Sequence, residues 1–389
     1  MSIDTGVPKN PIRIYSEFPL SYGGGGERSI LLIYNFLKDS GMDVTVIQNG
    51  GLDLENRMSP TDLQERLKTD LQEINFRRFG FPKFIYQDFP PLELLVADQS
   101  TCSVILLRRG PPRSVLKKLR TGNSKIIFCL HGIAIEKFRV TSFSIMVHQL
   151  IMRKQLRNLA QFLGDNIFAQ CLTPNIVSFL RNAGGPEENI FKIETDFESD
   201  VLKINPNNDE FKVIFIGRMQ NLTKGIRMLK KVVNYIAKIE PAIKFIIIGS
   251  GKDSSLLTDV GENVRLLGNS NDEEKKIALQ ESNLAIITSN LEPFSLVSLE
   301  YITSGLPVVT TPASGPSYLI GKDPNYGKTS SFNFKIFSDD IIKFYQLWLS
   351  NKGNYYELRK EIAKKSRQMF RQSNMLESYG KMIEEVNSR

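Results

Sequence analysis

The chain has 389 residues, of which 41% are hydrophobic and 24% charged, and a formal net charge of +8. Such a composition is that of an ordinary soluble globular protein, and the length suits two domains better than one core. No stretch approaches the roughly 18 to 20 apolar residues that cross a bilayer.

The first six residues, Met-Ser-Ile-Asp-Thr-Gly, have no basic segment leading into an apolar one. No secretory leader is therefore expected, and the cytoplasm is the expected compartment. In chain order, residues 12–16, 43–48, 103–108, 125–130 and 166–170 are short apolar runs of strand length. Helical spacing fills 27–38, 61–74 and 142–162 between them. Cys102, Cys129 and Cys171 fall far apart in apolar surroundings and read as buried thiols, because metal and redox cysteines come at short spacing. From Arg108 to Lys125 there are seven basic residues and no acid, and five more basic residues lie between Lys137 and Arg157. This block suits an anionic membrane surface or a phosphorylated substrate, or forms a solvated face. Within 137–157 the cations alternate with Phe138, Phe143, Ile145, Met146, Leu150 and Ile151, the pattern of an interfacial helix. Charge alone, without a motif, does not make a nucleic-acid binder.

A polar stretch at 204–209 marks the linker, so the domains are expected at 1–205 and 206–389. Beyond it, strands are expected at 211–217, 244–249, 264–268, 284–289 and 307–311, with a helical, charged tail from about residue 338. Runs such as Phe245-Ile-Ile-Ile248 indicate burial on both faces, hence parallel sheets flanked by helices. Ligands in doubly wound folds bind at the carboxyl ends of the strands, so functional residues should follow strands directly.

Three constellations do. The strand at 211–217 runs into Gly217-Arg218 and, six residues on, Lys224-Gly225. Arg offers a planar fork and Lys a point charge to phosphate oxygens, at the start of a helix whose amides also favour anions. The strand at 284–289 runs into Glu292-Pro-Phe-Ser295-Leu296-Val297-Ser-Leu-Glu300. Two carboxylates at this spacing flank a helix start and can accept hydrogen bonds from sugar hydroxyls. In the first half, Gly23-Gly24-Gly25-Gly26 opens a helix and permits close backbone approach, without the Gly-x-Gly-x-x-Gly fingerprint. His131 ends another strand, whereas His148 sits among Met146 and Leu150 and reads as packing.

The Gly-Arg-x5-Lys-Gly turn, the Glu-Pro-Phe…Glu motif and Ser304-Gly-Leu-Pro-Val-Val309 resemble family-4 retaining glycosyltransferases of the GT-B fold. The resemblance is specific over roughly residues 211–315 and weaker before them. It implies two Rossmann-like domains facing across a cleft, with C-terminal helices crossing back to the N-terminal domain. It also implies a nucleotide-diphosphate sugar, UDP-linked by family frequency, bound mainly by the second domain. By that resemblance Arg218 and Lys224 neutralise the diphosphate, Glu292 holds the donor sugar and Glu300 the ribose. Gly268 and Asn269 would lie against the base, while Gly24, Gly25, Gly217, Ser295, Leu296 and Val297 line the donor site and His131 approaches the sugar. No cofactor and no metal are expected, since Arg and Lys replace a divalent ion. The acceptor is expected to be a glycan or lipid-linked hydroxyl. Two departures stand out. Ser295 replaces the family's usual Gly, and Ile193-Glu-Thr-Asp196 replaces an Asn-Gly-Val-Asp loop. A sugar-nucleotide epimerase of the same fold and a catalytically silent binding module are the alternatives.

Overall fold

A computed structural model describes residues 11–22, 25–50, 71–79, 87–96, 102–107, 109–136, 143–195, 204 and 209–389. Two compact units emerge, one comprising residues up to Thr195 together with Ser373–Arg389, the other Asp196–Gln372. Most of the expected linker, residues 205–208, lies outside the described residues.

The first unit runs β1 (Ile12–Ser16), α1 (Gly25–Asp39), β2 (Val44–Asn49), β3 (Leu71–Ile74), β4 (Arg77–Phe79), β5 (Gln87–Phe89) and α2 (Leu92–Val96). It continues with β6 (Cys102–Leu106), α3 (Arg113–Leu119), β7 (Lys125–Cys129), α4 (Phe143–Phe162), β8 (Ile167–Cys171), α5 (Pro174–Asn182) and β9 (Ile190–Lys192). Seven strands form a parallel sheet in the order β3-β2-β1-β6-β7-β8-β9, and β4 and β5 form a separate antiparallel pair. The period-two alternation sends Ile12 and Ile14 to one face and Tyr15 to the other, so the sheet is covered on both sides. The three cysteines are buried in it, and burial pushes their thiols up, that of Cys102 to about 12.

The second unit runs β10 (Lys212–Ile216), α6 (Asn221–Lys224), α7 (Ile226–Ile239), β11 (Lys244–Ile248), β12 (Val264–Gly268), α8 (Asp272–Glu281) and β13 (Leu284–Ile287). Then come α9 (Leu296–Thr303), β14 (Val308–Thr310), α10 (Ser314–Ile320), β15 (Gly327–Thr329), α11 (Phe334–Ser350) and α12 (Lys352–Met369). The last helix, α13 (Gln372–Ser388), belongs to the first unit. The sheet order is β12-β11-β10-β13-β14-β15, all parallel. Helix α7 buries Ile226, Leu229, Val232, Val233 and Ile236, the apolar face that a 3.6-residue period predicts. It packs with Phe337, Ile341, Tyr345 and Trp348 of α11 on one side of this sheet.

One expected element differs. Of the helix anticipated at 61–74, residues 61–70 lie outside the described residues, and Leu71–Ile74 is a strand paired with β2. The edge of β2 supplies that segment with backbone partners, and tertiary pairing overrides the helical spacing of its apolar residues. The anticipated strand at 264–268 is present and lies mostly exposed at the sheet edge.

Candidate active site

In the second sheet the chain winds outward from β10 in one direction and from β13 in the other. The switch point therefore lies between these neighbours, where doubly wound folds hold their ligands. Gly217 and Arg218 follow β10, and Glu292 follows β13. The two turns are joined by backbone. The amides of Asn290 and Leu291 donate to the Thr223 carbonyl at 2.7 and 3.2 Å. The Thr288 hydroxyl donates to the carbonyl of Lys224 at 2.8 Å, and the Asn290 amide group to that of Asn221 at 3.1 Å. Gly225 makes the approach possible. It adopts φ +65°, and a Cβ there would collide with the Thr288 carbonyl oxygen. Gly249 does the same one strand over, where a Cβ would collide with the Gly217 carbonyl oxygen, and its amide donates to Gly268 at 2.7 Å.

The ammonium of Lys224 forms an ion pair with Oε2 of Glu292, which also accepts from the Ser289 hydroxyl at 3.0 Å. Cation and carboxylate from motifs 68 residues apart thus share one locus. Helix α9 starts beside them. Ser295 caps it, its hydroxyl accepting from the Ser298 amide at 3.3 Å. Ser295 also has φ +82°, alone among the described non-glycine residues in the left-handed region. A glycine would adopt this conformation without strain, which gives a physical reason for the usual residue of the resembling family. Leu296 and Val297 form the first turn, where helix amides lack internal partners.

Glu300, four residues into α9, is buried. Lys275 of α8 donates to its Oε1 at 2.7 Å, and its Oε2 is buried with no hydrogen-bond partner. Such an atom carries a desolvation cost that a donor would relieve. Gly268 (φ +62°) and Asn269 are exposed at the end of β12, and Asn269 Oδ1 accepts from the Ser250 hydroxyl at 2.5 Å.

The structure pairs Lys224 with Glu292 beside Gly217, puts Arg218 in the turn after β10, and carries Ser295, Leu296, Val297 and Glu300 at the cap and on the body of α9. Gly268 and Asn269 lie at the end of β12, two strands from β10. Gly25 starts α1 of the first unit, and Gly24 lies outside the described residues. His131 follows β7 of the first unit. Its Nε2 is 2.9 Å from Gln170 Oε1 and 3.0 Å from the Tyr379 hydroxyl of α13, and burial lowers its pKa to about 4.

Sequence reasoning passed over Ser289, Lys275, Gly315 and Tyr301. Ser289-x-x-Glu292 is the spacing of a local hydroxyl–carboxylate contact, a readable signal. Gly315 donates its amide to the Glu292 carbonyl at 2.9 Å, and a Cβ there would sit 2.5 Å from the Phe294 nitrogen. Nothing in the sequence pairs it with that loop. Tyr301 of α9 accepts a hydrogen bond from the Ile216 amide at 2.6 Å, fastening the end of β10 to the helix.

Two doubly wound parallel sheets, matched by solved structures of the same architecture, define the GT-B fold class. Residues 196–369, nearly all of the second unit, match the family model described as glycosyl transferases group 1. One polypeptide of human phosphatidylinositol N-acetylglucosaminyltransferase is 28% identical over 157 residues, 39% of this chain and 30% of that protein. An uncharacterised glycosyltransferase of Methanocaldococcus jannaschii is 30% identical over 158 residues, 38% of this chain and 40% of that one. The chain thus spans well under half the length of either relative. Among solved structures, HepE of Anabaena in complex with UDP has a TM-score of 0.69 at 15% identity, covering 96% of this chain and 99% of that one. Sucrose-phosphate synthase of Thermosynechococcus elongatus has a TM-score of 0.71 at 16% identity, covering 98% and 100%. At these identities the likeness is one of fold.

Proposed function

We propose that the chain is a retaining hexosyltransferase that moves a sugar from a UDP-sugar to a hydroxyl of a glycan or lipid-linked acceptor without a metal ion. The observation that carries the reading is the meeting of Lys224 and Glu292 at the ends of adjacent strands across the switch point. In this reading Arg218 and Lys224 take the diphosphate, joined by the first amides of α9. Glu292 accepts from donor-sugar hydroxyls, and the unpartnered Oε2 of Glu300 from a ribose hydroxyl. UDP is favoured because the fold neighbour HepE was solved with UDP and with UDP-glucose.

Fixed cations at the diphosphate stabilise charge as it develops on the leaving group, and positioning of the acceptor hydroxyl supplies the rest. A phosphate oxygen takes the acceptor proton on the face from which the diphosphate departs, which accounts for retention without a protein nucleophile. An epimerase would call for acid and base groups at the sugar. His131, held neutral by burial, is a poor candidate for either. A silent binding module would hold the donor with the same four groups, and turnover separates it from a transferase.

The test is turnover of a panel of UDP-, GDP- and ADP-sugars, with anomeric configuration read by NMR. Arg218→Ala and Lys224→Ala should each lose about 10²–10³ in kcat at saturating donor. Near-native turnover in both variants would overturn the diphosphate assignment, and loss of activity in chelator would overturn metal independence.

A further inference from the structure

We infer that the exposed face shared by α3 and α4 of the first unit docks on an anionic lipid bilayer. This goes beyond the donor-site reading and does not depend on which sugar is moved.

The two helices lie side by side. The Gly110 amide, just before α3, donates to Gln155 Oε1 of α4 at 3.2 Å, and the Arg120 guanidinium at the end of α3 lies 5.9 Å from the ring centre of Phe162. Neither helix contains an acidic residue. Arg113, Lys117, Lys118 and Arg120 are exposed along α3, and Lys154 and Arg157 along α4. Glu93 of α2 lies near Lys118 and offsets part of that charge. Arg108, Lys137 and Phe138 of the basic block lie outside the described residues.

The apolar residues of α4 divide sharply. Ile145, Met152, Leu156 and Leu159 are buried in the unit's own core, so α4 is not a detachable interfacial helix. Phe143 and Leu150 face outward instead, 75% and 49% exposed. At spacings of 7, 4 and 3 residues, Phe143, Leu150, Lys154 and Arg157 form one stripe of the helix. An apolar start followed by cations matches a bilayer, where a ring and an aliphatic chain enter the acyl boundary while cations meet lipid phosphates. A nucleic acid would use the cations and leave Phe143 and Leu150, about two turns apart on the same stripe, in water. The 20-residue helix is about 30 Å long, enough to lie along a membrane surface.

The experiment is co-sedimentation of the full chain with phosphatidylcholine vesicles, with and without 30 mol% phosphatidylglycerol. Binding is expected only with the anionic lipid, and raising salt from 50 to 500 mM should lower it at least roughly fivefold. Lys117→Glu combined with Lys154→Glu should weaken it by roughly tenfold or more. Phe143→Ser combined with Leu150→Ser should weaken it by roughly threefold or more. Both double variants should keep the wild-type melting temperature and nucleotide affinity, which separates loss of docking from misfolding or failure of the donor site. Equal binding to neutral and anionic vesicles, or none to either, overturns the proposal. So does a Phe143→Ser/Leu150→Ser protein that binds anionic vesicles and a single-stranded DNA probe as well as the wild type, the outcome for a general polyanion site.

Discussion

At His131 the tautomer follows from a neighbour's orientation. The Gln170 amide nitrogen donates to the Ile193 carbonyl at 2.7 Å, which turns its Oε1 towards the ring, so the hydrogen-bond network places the proton on Nε2. Burial holds the imidazole neutral, its pKa lowered to about 4 against an ordinary value of 6.5. The unfolded chain therefore binds a proton between about pH 6.5 and 4 that the folded protein refuses. The stabilisation is complete above the unfolded value and is lost as pH falls through that window. Its limit is about 3 kcal/mol. Urea unfolding at pH 7 and pH 5 should show a larger stability loss for wild type than for His131→Gln, by about 2 kcal/mol. Equal losses would mean that His131 titrates normally.

At the scale of elements, α9 is fastened at both ends of its job. Its Tyr301 hydroxyl, fully buried, accepts from Ile216 at the point where β10 opens into Gly217-Arg218. Its C-terminal carbonyls are met by α12: Arg359 Nε donates to Gly305 at 3.1 Å, the Ser366 hydroxyl to Ile302 at 2.9 Å and Arg367 Nε to Thr303 at 3.0 Å. Cations at a helix C-terminus also complement its dipole. Arg359 is 2% exposed, and burial lowers its pKa to about 10, so this clamp carries a desolvation cost. Tyr301→Phe removes the acceptor and leaves a part-buried amide without this partner, a cost of about 1 kcal/mol. Its melting temperature should fall, and, on the proposed donor reading, UDP affinity by calorimetry should fall with it, because the Arg218 turn loses its tie to α9. A variant as stable as wild type would show that the amide finds another partner.

At the scale of the molecule, the chain leaves the first unit at Thr195 and returns to it at Ser373. Met375, Tyr379, Met382, Ile383 and Val386 of α13 are buried against the face that also takes Ile30, Ile33 and Leu37 of α1. At about 1.5–3 kcal/mol for each such side chain, this helix contributes on the order of 10 kcal/mol, comparable to the net stability of a domain. Truncation after Gln372 should therefore abolish cooperative unfolding of the first unit while the second keeps its transition, as separate calorimetric peaks would reveal. A truncated chain with both transitions intact would contradict a contribution of that size.

The motifs proposed to bind the donor were legible in the sequence because they are carried by contiguous turns. Arg218 and Glu292 stand in turns that follow strands, Lys224 ends the short α6 and Glu300 lies four residues into α9, and apolar period located the strands. Local sequence determined the two parallel sheets, the buried thiols and the charge bias of α3 and α4. Other features arise only when distant segments are brought into contact. The pairing of Lys224 with Glu292, the unpartnered oxygen of Glu300 beside Lys275 and the tie from Tyr301 to Ile216 are of that kind. So is the separation of α4 into a core-facing side and an exposed stripe. Periodicity states which side chains share a face, and only tertiary packing decides which face meets the core, because that choice depends on neighbours far away in the chain.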